Sequence, residues 1–122
     1  MTKTYRLLAA LLLALVGTLG LTGCADSKVD VSTATAIIDV RTAAEFSAGH
    51  LEGAVNIDVE SAQFTDQISA LDESGTYFIY CHSGRRAGIA LDQMKQLGFS
   101  QVTNLGGLND AASKTGLAVI AG

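Results

Sequence analysis

The chain has no proline, and among its 122 residues only two cysteines, two histidines and eight basic side chains. Without proline, the turns fall mostly to glycine, of which there are thirteen. Eight Lys and Arg against twelve Asp and Glu give a formal charge of −4. That balance lacks the basic patches that contact nucleic acid, and it is weakly repelled by an anionic lipid surface. Two histidines far apart in sequence, with no Cys/His cluster, leave no ligand set for a metal. No internal repeat or low-complexity stretch interrupts the body of the chain. An apolar run of the ~20 residues that a mature membrane-spanning helix needs is also missing. The length allows a single domain.

The uncharged run that does exist, Leu7 to Leu21, covers 15 residues and follows Lys3 and Arg6. A basic start and a short apolar stretch form the pattern of a secretory signal peptide. Leu21-Thr22-Gly23-Cys24 then resembles the lipobox of bacterial lipoproteins, and no Ala-x-Ala cleavage site competes with it. The resemblance implies cleavage before Cys24 and lipidation of its thiol, which places the chain at the membrane of a bacterial cell envelope, facing outside the cytoplasm. Residues 1–23 are then signal peptide and residues 24–35 a small, polar tether. Cleavage leaves 99 of the 122 residues, and the loss of Lys3 and Arg6 takes the formal charge from −4 to −6. With Cys24 lipidated, Cys81 is the last free thiol, no disulfide forms within the mature chain, and the fold stands on its core alone. An unpaired Cys in an exported protein asks for a reason.

Beyond the tether, strand-like and helix-like stretches alternate. Val29 and Val31 alternate as an optional first edge strand, and residues 36–40 (AIIDV) form a β-branched run. A short helix over 42–48 closes at Gly49, and 54–57 is a second strand. Residues 60–71 place Phe64, Ile68 and Leu71 at helical spacing. Residues 76–80 (TYFIY) are an apolar strand that runs into Cys81. Residues 86–97 set Ile89, Ala90, Met94 and Leu97 on one face, with Gly98 closing the helix. Residues 101–105 are another strand, and 108–115 a weak last helix ended by Gly116. Such alternation implies an α/β domain over 36–122: a central, mostly parallel sheet of about five strands with helices on both faces.

The chemistry gathers at Cys81. An apolar strand ends there, the loop His82-Ser83-Gly84-Arg85 follows, and a helix opens near Arg86. Strand, glycine-bearing loop and helix N-terminus together form an anion cradle, because unpaired backbone N–H groups point into the loop. That field and the adjacent Arg85 and Arg86 favour the attacking, thiolate form of a cysteine. Gly84 lets the backbone curl around the sulfur. A buried structural Cys is the ordinary fate of an isolated thiol, but it gives no reason for the Ser-Gly-Arg-Arg beside it. His82 orients an acceptor, shuttles a proton or simply faces solvent. Ser83 offers a hydroxyl to a bound anion or fits the turn.

Asp39-Val40-Arg41, Glu45-Phe46, Gly49-His50-Leu51, Gly53-Ala54 and Asn56-Ile57 together resemble the N-terminal signature of the rhodanese family. Cys81 to Arg86 resembles that family's active-site loop, with Arg86 at the common arginine position. Leu105-Gly106-Gly107 is similar to the L-x-G-G after its last strand. The chain is thus identified as a rhodanese-like sulfurtransferase over roughly Ala36 to Gly116. Two departures stand out: Asp58 replaces the proline that often follows Asn-Ile, and the aromatic residue that often follows Gly-Gly is missing.

The resemblance implies a two-step sulfur transfer. Cys81 takes the outer sulfur of a small anionic donor such as thiosulfate and becomes a persulfide, which a thiol or cyanide acceptor removes. His82, Ser83, Gly84, Arg85 and Arg86 form the substrate-binding loop, whose N–H groups hold the terminal sulfur, while Arg85 or Arg86 binds the departing sulfite. Asp39 and Arg41, at the carboxyl end of a strand, act in support, and Arg41 pairs with Glu45 or Asp39. No cofactor or metal is required. With no resolving Cys, release needs an external thiol. The alternatives are a non-catalytic binding module and a cysteine phosphatase or arsenate reductase. The last pair typically place Arg six positions after Cys, where this chain has Ala87.

Overall fold

The computed structural model describes residues 28–122. The expected signal peptide, the lipidation site Cys24 and the start of the tether lie outside the described residues. Six strands and four helices follow one another as β1 (Ala36–Asp39), α1 (Ala43–Ala48), β2 (His50–Leu51), β3 (Val55–Asn56), α2 (Phe64–Ser69), β4 (Thr76–Cys81), α3 (Arg85–Gln96), β5 (Gln101–Gly107), α4 (Leu108–Thr115) and β6 (Val119–Ile120).

The central sheet has the order β3-β1-β4-β5 and is parallel throughout. It has four strands rather than about five. The remaining strand material, β2 and β6, makes a separate antiparallel pair with His50 opposite Ile120 and Leu51 opposite Val119. Both faces of the sheet are covered, as a parallel sheet requires. On one face Ile38, Ile79 and Tyr77 pack with Phe64 and Ile68 of α2 and with Ala87, Ala90 and Met94 of α3. On the other, Ile37, Phe78 and Tyr80 pack with Leu51, Leu105 and Ala111 of α4. Strand β4 feeds both cores because successive side chains point to opposite faces.

Local sequence sets the element ends. Thr42 caps α1 with a capping box, its Oγ1 accepting the Glu45 N–H at 3.3 Å. Helix α2 starts at Phe64, four residues later than its periodicity predicts. Asp58 Oδ1 accepts the Glu60 N–H and Ser61 Oγ accepts the Gln63 N–H, so the chain turns where the helix was expected. On α3 the buried stripe is Ala87, Ala90 and Met94, while Ile89, expected on that face, is 44 % exposed. Residues 28–35, assigned to the tether, carry no strand and rest on the domain. The Val29 N–H donates to Lys114 O at 2.9 Å, and Val29, Val31 and Ala34 cover the second core.

Candidate active site

Strands β1, β4 and β5 deliver their carboxyl ends to one rim of the sheet, where open α/β folds build their sites. Cys81 is the last residue of β4 and fully buried, and it is a free thiol. The chain then turns through His82 and Ser83, both exposed, to Gly84 at φ +95°. That left-handed value, which residues with a Cβ avoid, swings the Gly84 N–H inward to donate to Cys81 Sγ at 2.9 Å. Helix α3 begins at the next residue, so its first turn opens over the same sulfur.

The loop rests on β5. Cys81 pairs with Gly107 across an irregularity in the β4–β5 ladder. A Cβ added at Gly107 would fall 2.3 Å from His82 O, so only glycine fits there. Gly84 also approaches this segment, since a Cβ added there would lie 3.3 Å from Gly106 Cα. Asn104 ties the two segments together: its Nδ2 donates to Gly84 O at 3.1 Å, and its Oδ1 accepts the Gly106 N–H at 2.8 Å. Leu105-Gly106-Gly107 thus acts as the seat of the loop. Asn104 carries as much of the contact, and only its place next to that motif hints at it.

Two arginine–carboxylate pairs flank the loop. Arg41 Nη2 lies 2.6 Å from Asp39 Oδ2 and also donates to Gly49 O at 2.6 Å, while Nε donates to Asp39 Oδ1 at 2.9 Å. The bond to Asp39 raises the Arg41 pKa against the opposing effect of burial. Tyr80, whose ring lies 5.8 Å from the Arg41 guanidinium, has its phenol pushed well up by burial. Arg86 instead grips Glu45 with both arms, Nη1 to Oε1 at 2.6 Å and Nη2 to Oε2 at 2.9 Å. This grip lowers the Glu45 pKa from 4.5 to about 2 and raises that of Arg86. Of the two partners expected for Arg41, Asp39 holds it, and Glu45 belongs to Arg86, 41 residues away.

The structure brings Cys81, Gly84 and Arg86 together with their supports, and sets Asp39 and Arg41 beside them as a brace. Among the described residues Arg85 and His82 form no ion pair, and Ser83 makes no side-chain hydrogen bond; all three are exposed. His50 is packed: its ring stacks on Phe46 at 3.7 Å and its Nδ1 donates to Phe46 O at 2.8 Å. An open cavity of about 490 Å³ borders the loop at His82, the brace at Arg41, and Glu45, the partner of Arg86. A sulfur that accepts a backbone N–H at the mouth of a helix, near the Glu45-held guanidinium of Arg86, is equipped to carry and stabilise negative charge.

Comparison with known proteins gives a consistent answer. Residues 25–114 match the family described as the Rhodanese-like domain. The chain is 33 % identical over 75 residues to the thiosulfate sulfurtransferase PspE of Escherichia coli strain K12, covering 62 % of this chain and 72 % of that one. It is 36 % identical over 89 residues to the putative sulfur carrier protein YrkF of Bacillus subtilis strain 168, covering 72 % of this chain but only 47 % of that protein's length. A solved rhodanese from E. coli, described as containing anions, superposes with a TM-score of 0.60 at 29 % identity, over 71 % of this chain and 98 % of that one.

Proposed function

The chain belongs to the rhodanese-like domain family, and from that membership we propose that it moves a sulfane sulfur from a small anionic donor such as thiosulfate to a thiol or cyanide acceptor through a persulfide on Cys81. The observation that carries the reading is the Gly84 N–H held 2.9 Å from Cys81 Sγ at the start of α3. In the first step the Cys81 thiolate attacks the outer sulfur of thiosulfate. The bond between the two donor sulfurs breaks, sulfite leaves with its electron pair, and Cys81 becomes an anionic persulfide. In the second step the acceptor takes the terminal sulfur, as thiocyanate when the acceptor is cyanide, and the thiolate returns. The loop N–H groups and the α3 N-terminus stabilise the anion in both states.

Arg85, exposed and without an ion pair among the described residues, meets the incoming and departing anions; Arg86 is held by Glu45 and shapes the loop. Because Cys81 is fully covered, a donor reaches Sγ when the exposed stretch His82–Ser83 lifts. Thiocyanate formation from thiosulfate and cyanide by the purified chain tests this reading. It should be abolished in Cys81→Ser and much reduced in Arg85→Ala. Turnover of an aryl phosphate without thiocyanate would replace sulfur transfer by phosphatase chemistry, and a Cys81→Ser chain that kept its cellular role would favour a binding module.

On the sequence of residues 1–24 we further propose that Cys24 is lipidated and tethers the domain to the bacterial cell envelope, outside the cytoplasm. Metabolic labelling with a fatty-acid probe should mark the chain and fail to mark Cys24→Ala. Labelling of both, or of neither, would refute the anchor.

A further inference from the structure

The cavity beside the loop has a composition that sulfur transfer to cyanide leaves unexplained. It measures about 490 Å³ and lies between the end of α1, the start of α4 and the strand β6. Cyanide has two heavy atoms and needs no such volume; cavities of about 300–1,000 Å³ are the size that small organic ligands fill. The two charged residues on its wall are already spoken for, Arg41 by Asp39 and Glu45 by Arg86. A dianion such as thiosulfate therefore finds no free charge there.

What the cavity does offer is an apolar wall and two free polar groups. Ala48, Leu108 and Val119 form the wall. Val119 is 48 % exposed, and a Cβ added at Gly49 would lie 3.4 Å from its Cγ1. The strand that carries it is fixed in place: the Glu52 N–H donates to Ala118 O at 2.8 Å and the Gly122 N–H to Ser47 O at 2.9 Å. His82 and Asn109 supply polar side chains that bond to no other described residue, and His82 is the loop residue next to Cys81.

We propose that this cavity holds the organic body of an uncharged small thiol, which is the acceptor of the persulfide, and that Val119, Leu108 and Ala48 determine its selection. The inference rests on the sulfurtransferase reading above and names its acceptor class. The terminal persulfide sulfur stands one S–S bond, about 2 Å, beyond Sγ, and the residue after Cys81, His82, is on the cavity wall. The acceptor thiol loses its proton to solvent and its thiolate attacks that terminal sulfur. The S–S bond to Cys81 breaks, a small-molecule persulfide forms, and Cys81 leaves as thiolate. No oxidant or reductant is needed.

The test compares N-acetylcysteamine, a neutral amide thiol, with cyanide as acceptors of sulfur from thiosulfate, using the full chain and Ala48→Trp, which fills the cavity from its exposed edge. The ratio of kcat/KM for thiol to that for cyanide should fall about tenfold or more in the variant, as steric exclusion from an apolar pocket does, mostly through KM. An unchanged ratio would overturn the proposal. Binding is read separately by NMR titration with the unreactive S-methyl ether of the same thiol. Resonances of Leu108, Asn109 and Val119 should shift in the parent chain and stay in place in Ala48→Trp. No shift at millimolar ligand would overturn the cavity assignment, even if every transfer assay worked. If shifts appeared while no acceptor was ever sulfurated, the cavity would stand as a site for a neutral organic ligand, and the sulfurtransferase reading would fall together with the acceptor role inferred from it.

Discussion

The two arginine–carboxylate pairs at the carboxyl rim of the sheet share a chemistry and differ in their surroundings. Asp39 ends β1 and Arg41 follows two residues later, with side chains 0 % and 5 % exposed. Both oxygens of that carboxylate accept from Arg41, and the Nη2 that binds Asp39 also donates to the backbone carbonyl of Gly49. Glu45 and Arg86 come from α1 and α3, 41 residues apart, and their side chains remain 33 % and 18 % exposed. A buried pair costs several kcal/mol when one member is removed, whereas a pair open to water contributes little. The first pair is part of the scaffold. The second ties helix α1 to the first turn of α3 and keeps contact with water.

The comparison breaks most visibly at Asp39. Asp39→Ala leaves the Arg41 guanidinium buried without its partner and should destabilise the domain by about 3–5 kcal/mol, measured by urea unfolding. For a small domain that is a large part of the total. A loss under about 1 kcal/mol would mean that the pair is effectively solvated. Next in size comes the seat of the loop. Gly107→Ala forces the backbone at His82 to move and should cost about 1–3 kcal/mol, with thiocyanate formation falling further than stability does. Equal losses in both would show that loop position is irrelevant to the chemistry.

Asn104→Ala removes the clamp on Gly84 O and Gly106 N and should cost about 1 kcal/mol. Alkylation of Cys81 by iodoacetamide, which needs no sulfur transfer, should speed up as the covering loop loosens. The smallest effect belongs to Glu45→Gln, under about 1 kcal/mol at neutral pH and weakened further by salt. Its pH dependence has a fixed sign. The folded-state pKa of Glu45 is depressed from 4.5 to about 2, so its contribution is complete above pH 4.5 and fades as the pH falls towards 2. The stability difference between parent and Glu45→Gln should close over that window and stay flat above it. A difference that grew on acidification would refute the pairing.

Much of this architecture is legible in the residues. The β-branched run at 36–40, the TYFIY strand and the helical spacing of Ala90 and Met94 on α3 are strong periodic signals, and the glycines at 49, 98 and 116 mark helix ends. The β2–β6 pair escaped, because two-residue strands have no period to read and their only strand partners are each other. The late start of α2 was hidden in two side chains that capture backbone N–H groups. At the site, the loop from Cys81 to Arg86 is visible as a motif, with Gly84 aimed as its conformation requires. The partner of Arg86 was not, since nothing local links residue 45 to residue 86. Asn104 and the wall of the cavity belong to tertiary packing alone, where α1, α4 and the last strand meet.

The central claim is that Cys81 carries sulfur. Intact mass spectrometry of the purified chain after incubation with thiosulfate tests it most directly. The account predicts one added sulfur atom, removed by cyanide, absent in Cys81→Ser and present in Glu45→Gln. A chain that gains no sulfur from thiosulfate or other sulfane donors, or one whose added sulfur persists in Cys81→Ser, would contradict it.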